Sequence, residues 1–122
     1  MYELELLHHF SAAHKLEDYI GACSNLHGHN WDLKIVIKTT ELFKDMIIDF
    51  KDIKKAIDER YDHKYINEQV NFNPTAENIS KDIFGLVREL YYRKSEAGQD
   101  KAEAKITVTV WESNGASITY SE

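Results

Sequence analysis

From Tyr2 to His14 this chain alternates, and it alternates again from His27 to Ile37; a sequence that does so twice is committed to building a sheet. In the first stretch Tyr2, Leu4, Leu6, His8, Phe10, Ala12 and His14 hold the even positions, with Glu3 and Glu5 opposite. Successive strand residues point to opposite faces, so the pattern predicts a half-buried strand. In the second stretch Trp31, Leu33, Ile35 and Ile37 share one face, and Asp32, Lys34, Val36 and Lys38 the other. His27 and His29 extend the apolar side. Residues 15–26 carry Gly21, Cys23, Ser24 and Asn25 and read as the loop between the strands.

The period then changes. Asp49 is a candidate N-cap with Asp52 in the first turn, and Phe50, Ile53, Ile57 and Tyr61 recur at helical spacing. A second helix is expected from Pro74-Thr75, with Ile79, Ile83, Leu86, Val87 and Leu90 on one stripe, fading at Arg93-Lys94 and over by Gly98. Ile106, Val108 and Val110 alternate again, and Asn114-Gly115 predicts a tight hairpin turn before Ala116, Ile118 and Tyr120. The order ββααββ predicts an α+β fold: a four-stranded antiparallel sheet with two helices on one face. Its open edges favour closure into an oligomeric barrel.

At 122 residues one domain over 1–122 is expected. A net charge of −6 argues against a nucleic-acid-coating surface, which needs clustered Lys and Arg. No stretch has the length of a membrane span. The acidic start Met1-Tyr2-Glu3-Leu4-Glu5 does not read as a secretory signal, and a single cysteine fits a reducing compartment, so a cytoplasmic location is expected.

The chemistry concentrates in Cys23-Ser-Asn-Leu-His27-Gly-His29, which sets the only cysteine beside two alternating histidines. Two imidazoles on one strand face converge on a metal ion, and Gly28 between them would let the backbone approach closely. Three imidazoles with one open position make a catalytic zinc centre, whereas structural sites are closed by four ligands. The third imidazole must come from His8, His9, His14 or His63. A hairpin brings His14 to the start of the second strand, while His8 shares its parity but lies deeper in the sheet. Cys23 stands in a polar loop rather than on an apolar face, which suits a reactive thiol; a nearby cation favours its thiolate as base or nucleophile. Asp62-His63 follows the first helix, and the pair gains meaning only by meeting Cys23 in space. Glu112 continues the buried parity of Val108 and Val110, where a carboxylate needs donors such as the paired N–H groups of an aminopyrimidine. Thr75 and Glu77 open the second helix, where capping and the helix dipole already account for them.

Together Phe10-Ser-Ala-Ala-His14, Cys23-x3-His27-Gly-His29, Ile48-Asp49-Phe50, Asp62-His63, Asn73-Pro-Thr-Ala-Glu77 and Val110-Trp-Glu112-Ser113 resemble, in order, the 6-pyruvoyl-tetrahydropterin synthase / 6-carboxy-tetrahydropterin synthase family. The resemblance implies the tunnelling fold, with sheets joined into a barrel and trimers stacked as a homohexamer. It implies Zn2+ on His14, His27 and His29, Cys23 as catalytic base, and Asp62 with His63 completing a proton-transfer group, contributed by a neighbouring subunit. Glu112 becomes the pterin anchor, with Thr75 and Glu77 as supporting contacts. The three-residue gap after Cys23 resembles the carboxy-forming branch of queuosine (7-deazaguanine) synthesis, acting on dihydroneopterin triphosphate. A pyruvoyl-forming enzyme, another pterin side-chain lyase and a non-catalytic zinc- or pterin-binding subunit are the alternatives. Lys15 and Lys64 flank the motifs as candidate phosphate contacts. Two departures stand out: Tyr61, where the pattern has an aliphatic residue, and a longer charged loop from Lys94 to Lys101.

Overall fold

The computed structural model describes residues 1–93 and 103–122, together with every side chain among them except that of Cys23. The elements run β1 (Tyr2–His14), a 3-10 turn (Ala22–Ser24), β2 (His27–Thr39), α1 (Phe50–Tyr61), β3 (Lys64–Tyr65), α2 (Ile66–Gln69), α3 (Ala76–Arg93), β4 (Lys105–Ser113) and β5 (Ala116–Ser121). The charged stretch Lys94–Lys101 and the expected helix end near Gly98 lie outside the described residues.

Both long alternations are strands, paired antiparallel over their whole length from Tyr2↔Thr39 to His14↔His27. Among the described residues the sheet has five strands in the order β3-β1-β2-β4-β5, not the expected four. The added strand, β3, is two residues long and pairs in parallel with Ala12 and Ala13. Two residues carry no alternation, so only the tertiary pairing creates this strand. The single-turn helix α2 escapes sequence reading for the same reason.

The even positions of β1 and β4 and the odd positions of β2 face α1 and α3, forming one core around Phe10, Trp31, Leu33, Ile35, Ile53 and Ile83. Asp49 caps α1 by accepting from the Lys51 N–H at 2.9 Å. Ile53, Ile57 and Tyr61 are buried as the spacing required, but Phe50 is 52% exposed. It is the first residue of α1, directly after the Asp49 cap. The tight turn at Asn114-Gly115 forms, and Gly115 takes the positive φ (88°) that its backbone needs.

Tyr61 is satisfied by two neighbours. Its ring stacks on Phe10 at 5.1 Å, and its hydroxyl donates to Asp82 on α3. Arg60 clamps the same carboxylate through Nε (2.7 Å) and Nη2 (2.9 Å). Burial, then the Asp82 contact, pushes the Tyr61 hydroxyl pKa far up, so it remains a donor throughout the working pH range. Asp82→Ala strands this buried hydroxyl and should cost about 2 kcal/mol, whereas Tyr61→Phe removes donor and desolvation together and should stay within about 1 kcal/mol of the parent. Urea midpoints at unchanged m value measure both.

Candidate metal centre

The end of the β1–β2 hairpin sets His14 directly across from His27, with Ala12 across from His29. Parity carries all three imidazoles to the core side, over the edge of fully buried Trp31. Ring centroids lie 4.5 Å apart for His14 and His27, 5.2 Å for His14 and His29, and 4.6 Å for His27 and His29. Trp31 forms the floor, its centroid 4.9 Å from His14 and 5.5 Å from His29. Gly28 is not needed for clearance: a Cβ there would meet only the Ala12 carbonyl, at 4.0 Å.

Backbone carbonyls fix the rings. His14 Nδ1 donates to the Pro74 carbonyl at 2.8 Å, and His27 Nδ1 to the Asn25 carbonyl at 2.7 Å. A carbonyl only accepts, so in both neutral rings the proton sits on Nδ1 and the Nε2 lone pair points inward. Such outer partners are what orient metal-binding histidines. His29 Nε2 is buried without a hydrogen-bond partner. Desolvation holds the His29 imidazole pKa below its ordinary value; Glu112 pulls it up, and the other two imidazoles pull it down.

Glu112 completes the group. Its Oε1 lies 2.8 Å from His29 Nε2, 3.2 Å from His14 Nε2 and 3.8 Å from His27 Nε2. The four ligand atoms fall within 4.8 Å of one another. Inward lone pairs around a carboxylate repel unless a cation lies among them. The residues present therefore fit a divalent metal.

His8 pairs with Leu33 and reaches Asp58 on α1 at 2.8 Å, apart from the cluster. His9 pairs with Asp32 on the opposite sheet face. Asp62 Oδ1 accepts from the Ser11 N–H at 3.0 Å, and the His63 N–H donates to the Ser11 carbonyl at 2.7 Å. His63 has a φ of 56°, a strained value for a non-glycine residue, and its side chain is 82% exposed. Its Nε2 stands 3.5 Å from Asp62 Oδ2. Among the described residues no hydrogen bond or ion pair joins Asp62 or His63 to the histidine cluster, although His63 and His29 border one open depression. Thr75 caps α3, its hydroxyl accepting from the Asn78 N–H at 3.1 Å, and Glu77 is exposed in the first turn. Lys15 and Lys64 are exposed.

The Cys23 side chain lies outside the described residues, but its backbone is in the 3-10 turn. Asn67 and Asn73 hold the loop before it, each exchanging paired hydrogen bonds with the backbone of Lys15 or Glu17. Sequence reading misses the carbonyls of Asn25 and Pro74, because backbone acceptors leave no residue signature. It also misses that Glu112 faces the three imidazoles; its parity shared with Val110 is the one available signal.

A family model described as 6-pyruvoyl tetrahydropterin synthase matches residues 3–122. A 6-carboxy-5,6,7,8-tetrahydropterin synthase of Bacillus subtilis is 32% identical over 96 residues, 71% of this chain and 66% of that one. Another from Haemophilus influenzae is 27% identical over 152 aligned positions spanning 100% of both chains. The solved 6-pyruvoyl tetrahydropterin synthase of Caenorhabditis elegans superposes with a TM-score of 0.74 at 23% identity, covering 99% of this chain and 95% of that one. That likeness identifies the architecture as the tunnelling fold. No helix among the described residues is long and apolar enough to cross a membrane.

Proposed function

The chain belongs to the 6-pyruvoyl tetrahydropterin synthase family, and from that premise we propose that it is a zinc-dependent 6-carboxy-5,6,7,8-tetrahydropterin synthase of 7-deazaguanine (queuosine) biosynthesis. Its substrate would be 7,8-dihydroneopterin triphosphate, converted with water to 6-carboxy-tetrahydropterin, acetaldehyde and triphosphate. The observation that carries the reading is the set of three converging imidazole Nε2 atoms, two of them held in the ligating tautomer by carbonyls. The carboxy-forming branch is preferred because relatives above 30% identity bear that name.

His14, His27 and His29 would hold zinc, which supplies Lewis-acid stabilisation of charge developing on the substrate's side-chain oxygens. The protein's own groups do the rest. Cys23 takes a C–H proton as thiolate, and Asp62 with His63 passes one on the other side. The exposure of His63 suits a proton-transfer pair shared with a neighbouring subunit. Glu112 receives the paired N–H groups of the pterin ring, and Thr75 and Glu77 support it from the start of α3. The ring gains two hydrogens as the side chain is oxidised, so no external reductant is required. Water adds as the two-carbon aldehyde leaves. We place the enzyme in the cytoplasm as a homohexamer, a dimer of trimers.

Incubating zinc-loaded protein with dihydroneopterin triphosphate and identifying products by mass spectrometry tests this. Acetaldehyde and the carboxy product are expected in equal amounts. A pyruvoyl product without acetaldehyde would sink the branch assignment, and unchanged substrate would sink the enzymatic reading.

A further inference from the structure

Glu112 has two partners and one carboxylate. It stands at the irregularity of the β4–β5 register, between Trp111 paired with Ser117 and Ser113 paired with Ala116. Bulges of this kind re-aim a side chain beside a site. Here the side chain is turned onto the histidines. Four ligand atoms around zinc, each about 2.0–2.1 Å from it, stand roughly 3.3 Å from one another in a tetrahedron. The separations from Glu112 Oε1 to the three Nε2 atoms, 2.8, 3.2 and 3.8 Å, straddle that value. With the Nδ1 protons of His14 and His27 committed to carbonyls, their neutral Nε2 atoms have no hydrogen to give Glu112. His29 Nε2 lies 2.8 Å from the same oxygen.

We infer that Glu112 is a displaceable fourth ligand, closing the metal centre at rest and leaving it when a pterin ring offers its paired N–H groups. The inference rests on the pterin reading above. One carboxylate cannot serve the metal and the ring together, so ring binding and opening of the coordination position are the same event. At 31% exposure the side chain has room to turn outward. The resting site is then closed to stray anions, and the ring of the substrate must seat before its side-chain oxygens can reach the metal. By linkage, a small anion at the open position and a pterin ring favour each other's binding.

Cobalt-substituted protein tests this without turnover, because the visible d–d bands of Co2+ report coordination. Azide is titrated with and without pterin, a ring lacking the three-carbon side chain. In the parent, saturating pterin should tighten azide binding about tenfold. Glu112→Ala should bind azide at least that tightly without pterin and gain nothing from adding it; Glu112→Gln, of the same volume, should change in the same direction. Equal azide affinity in the parent and both variants would overturn the fourth ligand. Azide gated by Glu112 but indifferent to bound pterin would overturn the displacement. If pterin fails to bind at all, judged by its fluorescence, the pterin reading itself falls.

Discussion

Replacing His14 with alanine should empty the metal centre. His14 is fully buried at the end of β1, its Nδ1 committed to the Pro74 carbonyl and its ring packed between His27, His29 and Trp31. Alanine removes one of three imidazoles, leaves a void that no neighbouring histidine can reach across, and strips the Pro74 carbonyl of its donor. Losing an outer partner alone typically weakens metal binding 10–100-fold, so loss of the ligand itself should cost on the order of 1,000-fold or more. Zinc content after gel filtration is expected to fall from one per chain to below about a tenth, with turnover falling in step. His8→Ala is the matched control: same strand, same parity, but bound to Asp58 and outside the cluster. It should keep its zinc. If both variants lost metal equally, the cause would be damage to β1, and the ligand assignment would fail.

The contrast between His8 and His14 also shows what the sequence made legible. Parity put both on the core side, and the hairpin alone favoured His14; the observed register, His14 against His27, supplies the physical reason. The long strands, both main helices and the turn at Asn114-Gly115 were readable because each carries a period or a turn residue over several positions. β3 and α2 were not, being two and four residues held by contacts distant in sequence. Glu112 was half legible. Its parity announced a carboxylate on a buried face, but the bulge that aims it at the imidazoles depends on the register with β5. Tyr61, out of place by the family pattern, is accommodated by Asp82, a partner 21 residues away that no local pattern reveals.

Cys23→Ala should separate the chemistry from the metal. The loop holding Cys23 is anchored on both sides: Asn67 and Asn73 grip its start, and the 3-10 turn leads into Asn25, whose carbonyl accepts from His27. Within the turn Ser24 donates through both N–H and hydroxyl to the Gly21 carbonyl, at 3.1 and 2.6 Å. The three residues between Cys23 and His27 therefore form a turn plus the carbonyl that orients the His27 ring. None of these contacts uses the thiol. Alanine is expected to leave zinc content and thermal midpoint unchanged while turnover drops roughly 100- to 10,000-fold, the usual worth of a positioned base. Serine should be nearly as poor, because its hydroxyl stays protonated where a thiol ionises. Were zinc retained and turnover undiminished, the thiol would have no part in proton removal, and the base would have to be sought in Asp62 and His63.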